Sequence, residues 1–241
     1  MSTEPTPINS ELAGYIQAHA GGRDDVLRKV EEQTAAMGSI SIMQTAPEQA
    51  AFLEMLVSLT GATRALEIGT FTGYGAIRIA RALAPGGSLT CFELDGERAE
   101  IARANLEEAG VGDRVEIVVG PAIDGLRALP DETTVDFAYL DADKTGYPDY
   151  YEEIVRRLVP GGLLAVDNVL MGGRILDAEP DEGTAAMQTL NDRIMGDGRV
   201  ESVMLGMADG LTLVRRRSIS SGIISIAPEG HSATQMPQPL Q

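Results

Sequence analysis

Between residues 64 and 166, five short apolar runs alternate with stretches of helical character. The runs are Ala65–Ile68, Ser88–Leu94, Val115–Val119, Val135–Leu140 and Leu163–Val166. They are largely apolar throughout, as parallel strands covered on both faces must be. The intervals at about 74–84, 96–109, 122–129 and 147–159 read as helices, and turn signals separate them: Pro85-Gly86-Gly87, Gly110, Pro130 and Pro160-Gly161-Gly162. This strand–helix rhythm predicts an α/β, doubly wound Rossmann-like sheet with helices on both faces. Near the end, Val200–Leu205 and Leu211–Val214 flank Asp209-Gly210, a hairpin signal. The sheet is therefore expected to be mostly parallel and to finish in an antiparallel hairpin.

The flanks read differently. Residues 10–60 are expected to be helical. Asn9 or Ser10 caps a first helix to about Ala20, Gly21-Gly22 breaks it, and Asp24 or Asp25 opens a second to about Met37. A third follows Pro47 and ends at Gly61. Residues 1–217 are read as one domain, with 218–241 as a flexible tail.

The loop after the first strand reads Leu66-Glu67-Ile68-Gly69-Thr70-Phe71-Thr72-Gly73-Tyr74-Gly75. Glycines here let the backbone approach a ligand at the switch point of the sheet. The spacing is neither G-x-G-x-x-G nor a P-loop, so the phosphate fingerprints are missing. An acid beside the loop repels phosphate and suits a ligand with a positive group. S-adenosylmethionine carries a sulfonium and an ammonium and no phosphate; a tight turn without a ligand is the alternative. The second strand ends Phe92-Glu93-Leu94-Asp95, where an acid accepts hydrogen bonds from a ribose diol. Glu93 is assigned that role and Asp95 the cap of the following helix.

Asp141 closes the fourth strand, and Asp167-Asn168 closes the fifth. Parallel strands open on one rim, so the three are expected to converge. Two carboxylates and an amide oxygen form a hard donor set suited to Mg²⁺, with Mn²⁺ or Ca²⁺ as alternatives. Each acid taken singly is equally a turn cap. Bases are scarce: two lysines, Lys29 and Lys144, and two histidines, His19 and His231, against seventeen arginines, which stay protonated. Lys144, a carboxylate or a tyrosine is then left to move a proton.

LEIGTFTGYGA, LDADKTGYPDYY and VDNVL together resemble the signatures of the metal-dependent catechol and caffeoyl-coenzyme A O-methyltransferase family, from about Met43 to Arg217. The resemblance implies S-adenosylmethionine as cofactor and a small catechol-like aromatic as acceptor, with a divalent metal orienting the diol. It implies that Thr45, Glu67, Gly69, Thr70 and the loop to Gly75 hold the methionine half of the cofactor. Glu93 would take the ribose, Ala122 the adenine, and Asp143, with Asp141 before it, would lie near the methionine end. Asp141, Asp167 and Asn168 match the metal ligands, and Lys144 the general base. Met43, Lys144, Asn168 and Tyr147 are expected to face the acceptor, with Tyr150 on the same helix face as Tyr147; packing of that helix on the sheet is the alternative for the tyrosines, and a core position for Met43.

Three positions depart from the family pattern. Gly75 stands where a serine or alanine is usual, Asp143 where catechol enzymes place an aromatic gate, and Met171 where plant enzymes carry a tryptophan. An alternative acceptor within the family is a hydroxyuridine of tRNA. The formal net charge of −17 argues against a long nucleic-acid footprint. A nicotinamide reductase lacks its motifs here, and a non-catalytic binding protein would not need the ligand set and Lys144. One cysteine, Cys91, excludes an internal disulfide, and no apolar run reaches membrane-spanning length. The expected setting is cytoplasmic, with no membrane partner and as a homodimer. Arg215-Arg216-Arg217 is read as a solvated strand end.

Overall fold

A computed structural model describes residues 6–218. All of the expected tail beyond Ser218, His231 included, lies outside them. Seven strands form one sheet in the order β3-β2-β1-β4-β5-β7-β6. They are β1 (Arg64–Ile68), β2 (Ser88–Glu93), β3 (Val115–Val119), β4 (Val135–Leu140), β5 (Leu158–Asp167), β6 (Val200–Leu205) and β7 (Leu211–Arg216). The first five run parallel; β7 pairs antiparallel with both β5 and β6. The doubly wound sheet with its terminal hairpin is as expected. The winding reverses between β1 and β4, where Ile68 pairs with Leu140, so a crevice opens at the carboxyl ends of these two strands.

The helices are α1 (Ser10–Ala18), α2 (Asp25–Ala35), α3 (Pro47–Thr60), α4 (Tyr74–Ala82), α5 (Gly96–Glu108), α6 (Ala122–Ala128), α7 (Tyr147–Arg157) and α8 (Glu182–Gly196). Their ends follow side-chain chemistry. Asn9 accepts the amide of Leu12, Asp24 that of Leu27, and Asp95 those of Glu97 and Arg98. Pro47 opens α3, and Gly61, at φ 62°, closes it.

Successive strand residues alternate between two cores. Leu66, Ile68, Ala138 and Leu140 face α6, α7 and α8, where Leu126, Ile154 and Leu190 are buried. Ala65, Phe137 and Tyr139 face α2 to α5, among Leu27, Leu53, Ile77 and Leu106. The N-terminal helices are tied down by polar contacts as well. Arg78, buried on α4, donates to Glu54 and to the carbonyl of Gly21, and a Cβ at Gly22 would lie 2.7 Å from its Nη1. The Gly21-Gly22 break is thus a seat for a buried guanidinium.

Two elements differ from expectation. The seventh helix ends at Arg157, and pairing with β4 begins at once, Leu158 opposite Val135. Pro160-Gly161-Gly162 is not a free turn but an irregularity inside β5, with Gly161 at φ 85° and a register shift opposite it. The second is α8, which has no counterpart among the helices expected from sequence. Its signals are nonetheless present: Asp181 caps it by accepting the Thr184 amide, and Met187, Leu190 and Ile194 repeat on one buried face. No helix among the described residues is long and apolar enough to cross a membrane.

Candidate active site

The glycine loop runs from β1 into α4 under tight steric limits. Gly69 has φ 89°, and a Cβ there would sit 1.9 Å from the backbone oxygen of Asp141. Only hydrogen at this position lets the loop turn across the end of β4. Gly73, at φ 87°, starts α4 against Ala102, and no side chain caps that helix. Glu93, at the end of β2, grips the loop from the other side: its Oε2 accepts the amides of Thr70 and Phe71 at 3.2 and 2.8 Å, and its Oε1 accepts the amide of Asp95.

Glu67 is 1% exposed. The Cys91 thiol donates to its Oε2 at 3.4 Å. Its other oxygen fills the space that a side chain at Gly75 would take, 2.6 Å from an ideal Cβ, with Thr45 Oγ1 at 3.6 Å. The departure at Gly75 therefore makes room for the carboxylate. Burial raises the Glu67 pKa to about 8, and the charges of Asp141 and Glu93 push the same way, against the hydrogen bond from Cys91. A positive ligand group beside the loop would relieve that strain.

The second cluster forms where β4 and β5 end. Asp167 is 3% exposed; its Oδ2 accepts the hydroxyl of Tyr139 at 2.6 Å and its Oδ1 the amide of Asn168 at 2.7 Å. Burial first, and then the charge of Asp141, raise its pKa to about 6. Asn168 takes a left-handed φ of 56°, so the chain turns sharply at the strand end; asparagine tolerates this better than most residues. Lys144 Nζ donates to Asp141 Oδ1 at 3.0 Å and to the hydroxyl of Tyr147 at 2.7 Å. Two mutually repelling carboxylates with an amide beside them are the donor chemistry of a hard divalent cation, so these residues fit the metal expected from sequence. Among the described residues, no cluster of three or more His, Cys, Asp or Glu forms a metal site. The set here is two acids and an amide.

The other expected site residues are distributed as follows. Thr45 lies on the approach to α3, its hydroxyl 3.3 Å from that of Tyr139, and Met43 stands half exposed at the end of a 3-10 turn, Gly38–Met43. Ala122 opens α6 just past Gly120, whose amide bonds to the carbonyl of Glu93. Asp143 is spent locally: its oxygens accept the hydroxyl of Tyr150 at 2.6 Å and the amide of Gly146 at 3.1 Å. Tyr147 is wholly buried, with its hydroxyl between Lys144 and the carbonyl of Leu140. The Lys144 ammonium lies over its ring at 4.7 Å, so Tyr147 follows the packing alternative rather than facing an acceptor. Arg215 pairs with Glu201, while Arg216 and Arg217 donate to the carbonyls of Val155 and Val200, as a strand end would.

Sequence reasoning missed three contributors. Gln49 and Tyr139 join the Asp167 cluster, and the start of α8 reaches it: a Cβ on Gly183 would lie 3.5 Å from Lys144 Cβ and 3.9 Å from the terminal methyl of Met171. The available signal for Tyr139 was a lone hydroxyl inside an apolar strand, two residues before Asp141, which had to find a partner.

Comparison with known proteins gives a consistent result. The O-methyltransferase family model matches residues 17–217. The chain is 33% identical over 213 residues to "Probable caffeoyl-CoA O-methyltransferase 1" of Dictyostelium discoideum, covering 86% of this chain and 93% of that protein. It resembles the crystal structure of an O-methyltransferase from Bacillus cereus in complex with SAH, with a TM-score of 0.81 and 31% identity over 86% of this chain and 97% of that one. It also resembles the O-methyltransferase TomG from Streptomyces achromogenes, involved in tomaymycin synthesis and solved with SAM. There the TM-score is 0.80 and the identity 32%, over 86% and 96% of the two chains.

Proposed function

The chain belongs to the O-methyltransferase family, and from that premise we propose that it moves the methyl of S-adenosylmethionine to a hydroxyl of a small aromatic diol. The observation that carries this reading is the meeting of two clusters at one switch point. A buried acid and a glycine loop lie on one side, and two acids, an amide and a lysine on the other.

S-adenosylmethionine supplies an electrophilic methyl on a sulfonium. Glu67 and the loop from Gly69 to Gly75 match its charged methionine half, and the uncapped start of α4 offers backbone amides to its carboxylate. Glu93 retains acceptor capacity for a ribose diol while holding the loop in shape. Asp141, Asp167 and Asn168 would hold a divalent cation, which supplies positive charge that favours ionised over neutral acceptor oxygens. Lys144, anchored by Asp141 and Tyr147, holds Nζ at the site, where its neutral form would take the acceptor's proton.

Charge around the site narrows the acceptor. The segment that runs into Gly183, which packs beside Lys144, covers residues 171–182 and carries Asp177, Glu179, Asp181 and Glu182 against Arg174 alone. This local excess of acid would disfavour phosphate-bearing acceptors, a coenzyme A thioester or an RNA, which are normally recognised by cations. A neutral or cationic catechol meets no such barrier. Purified protein with S-adenosylmethionine and Mg²⁺ should therefore methylate free catechols with a kcat/KM at least about tenfold above that for hydroxycinnamoyl-coenzyme A thioesters, a discrimination of about 1.4 kcal/mol. It should leave hydroxyuridine-containing tRNA unmodified. Preference for the thioester or for tRNA overturns the small-diol reading.

A further inference from the structure

The candidate metal ligand Asp167 is held by a residue that the donor set does not include. Of its two oxygens, Oδ1 accepts the amide of Asn168, so its orientation depends on what Oδ2 meets. That partner is Tyr139, whose hydroxyl approaches to 2.6 Å. Tyr139 is fully buried on β4, paired across the sheet with Glu67 on β1 and Ala165 on β5. Its hydroxyl meets two further groups, Gln49 Nε2 and Thr45 Oγ1, each at 3.3 Å.

Proton counting fixes the direction of these bonds. The tyrosine hydroxyl has one proton, and a carboxylate only accepts, so that proton points to Asp167. Gln49 and Thr45 must then donate to the tyrosine oxygen. The result is a directional chain, Thr45 and Gln49 to Tyr139 to Asp167, in which each donated bond strengthens the next. It begins at a residue assigned to the cofactor and ends at one assigned to the metal.

We propose that Tyr139 is a positioning residue that sets the Asp167 carboxylate for cation binding, and that Gln49 and Thr45 hold Tyr139 in place. This rests on the reading of Asp167 as a metal ligand. An apolar residue at 139 would leave Asp167 Oδ2 without its donor in a buried setting, and the carboxylate would lose its fixed orientation.

The test is Mn²⁺ affinity, read by electron paramagnetic resonance of the free ion, in wild type, Tyr139→Phe and Gln49→Leu. S-adenosylhomocysteine affinity is measured alongside by calorimetry. Tyr139→Phe should weaken Mn²⁺ binding by about tenfold, the usual scale for groups that orient metal ligands. Gln49→Leu should weaken it by a smaller factor, and the double variant should lose no more than Tyr139→Phe alone. Should Tyr139→Phe fail to fold, the smaller loss in Gln49→Leu carries the test. S-adenosylhomocysteine affinity should stay within about twofold in every variant, which separates positioning from general damage to the fold. Mn²⁺ affinity unchanged in the variants overturns the role of Tyr139 while leaving the metal site standing. A wild type that binds no Mn²⁺ overturns both.

Discussion

Asp141→Ala is expected to lower methyl transfer by about 10³-fold or more while leaving S-adenosylhomocysteine affinity within a few-fold of wild type. The asymmetry follows from where the side chain and the backbone of this residue act. The carboxylate points to Lys144 Nζ and toward the Asp167 cluster, whereas the backbone oxygen packs under Gly69. Alanine removes one of two charged donors from the cation set and frees Lys144 from its anchor, and it leaves the floor of the glycine loop intact. A cation that stabilises developing charge contributes several kcal/mol, which sets the scale of the loss. Steady-state rates and calorimetric binding on the same preparation check it. Turnover within tenfold of wild type would remove Asp141 from the reaction. Loss of cofactor binding and turnover together would place the residue in the cofactor site instead.

Gly69→Ala should act in the opposite sense, on cofactor binding and stability. The added Cβ would sit 1.9 Å from the Asp141 carbonyl, a backbone atom held by its own strand. Neither side can yield without separating β1 from β4, whose last pair is Ile68 with Leu140. The left-handed φ of 89° alone costs a non-glycine residue about 1–3 kcal/mol. With the clash added, the loss should reach about 3 kcal/mol or more, a fall of about 6–12 °C in melting temperature for a chain of this size. S-adenosylhomocysteine binding should vanish, since the amides of Thr70 and Phe71 would leave Glu93. Thermal melts with and without ligand check both effects. A variant that melts within about 2 °C of wild type and still binds would mean that the loop does not depend on this close approach.

Much of this architecture is legible in the amino-acid sequence. Apolar runs such as Val135–Leu140 have few ways to be satisfied except as buried parallel strands, and Asp209-Gly210 between two such runs leaves little but a hairpin. The acids were legible for a topological reason: residues at the carboxyl ends of parallel strands share a rim, so Asp141, Asp167 and Asn168 were brought to one place by counting strands. The rest depended on tertiary facts. No local signal shows that Gly75 is small because Glu67 lies over it, or that Tyr147 packs beneath Lys144 rather than beside an acceptor. α8 carried its own cap and apolar period, but its approach to Lys144 is set by how it crosses the sheet. Tyr139 and Gln49 are ninety residues apart, and only folding makes them neighbours.

The decisive measurement is methyl transfer from S-adenosylmethionine to a panel of catechols, run with Mg²⁺, after EDTA, and after Mg²⁺ is restored. Transfer that disappears on chelation and returns with the metal is the predicted result. It would join Asp141 and Asp167, at the ends of β4 and β5, to the chemistry of the glycine loop. Transfer that survives EDTA unchanged would contradict it, leaving Asp141, Asp167 and Asn168 as structural polar groups at the rim of the sheet.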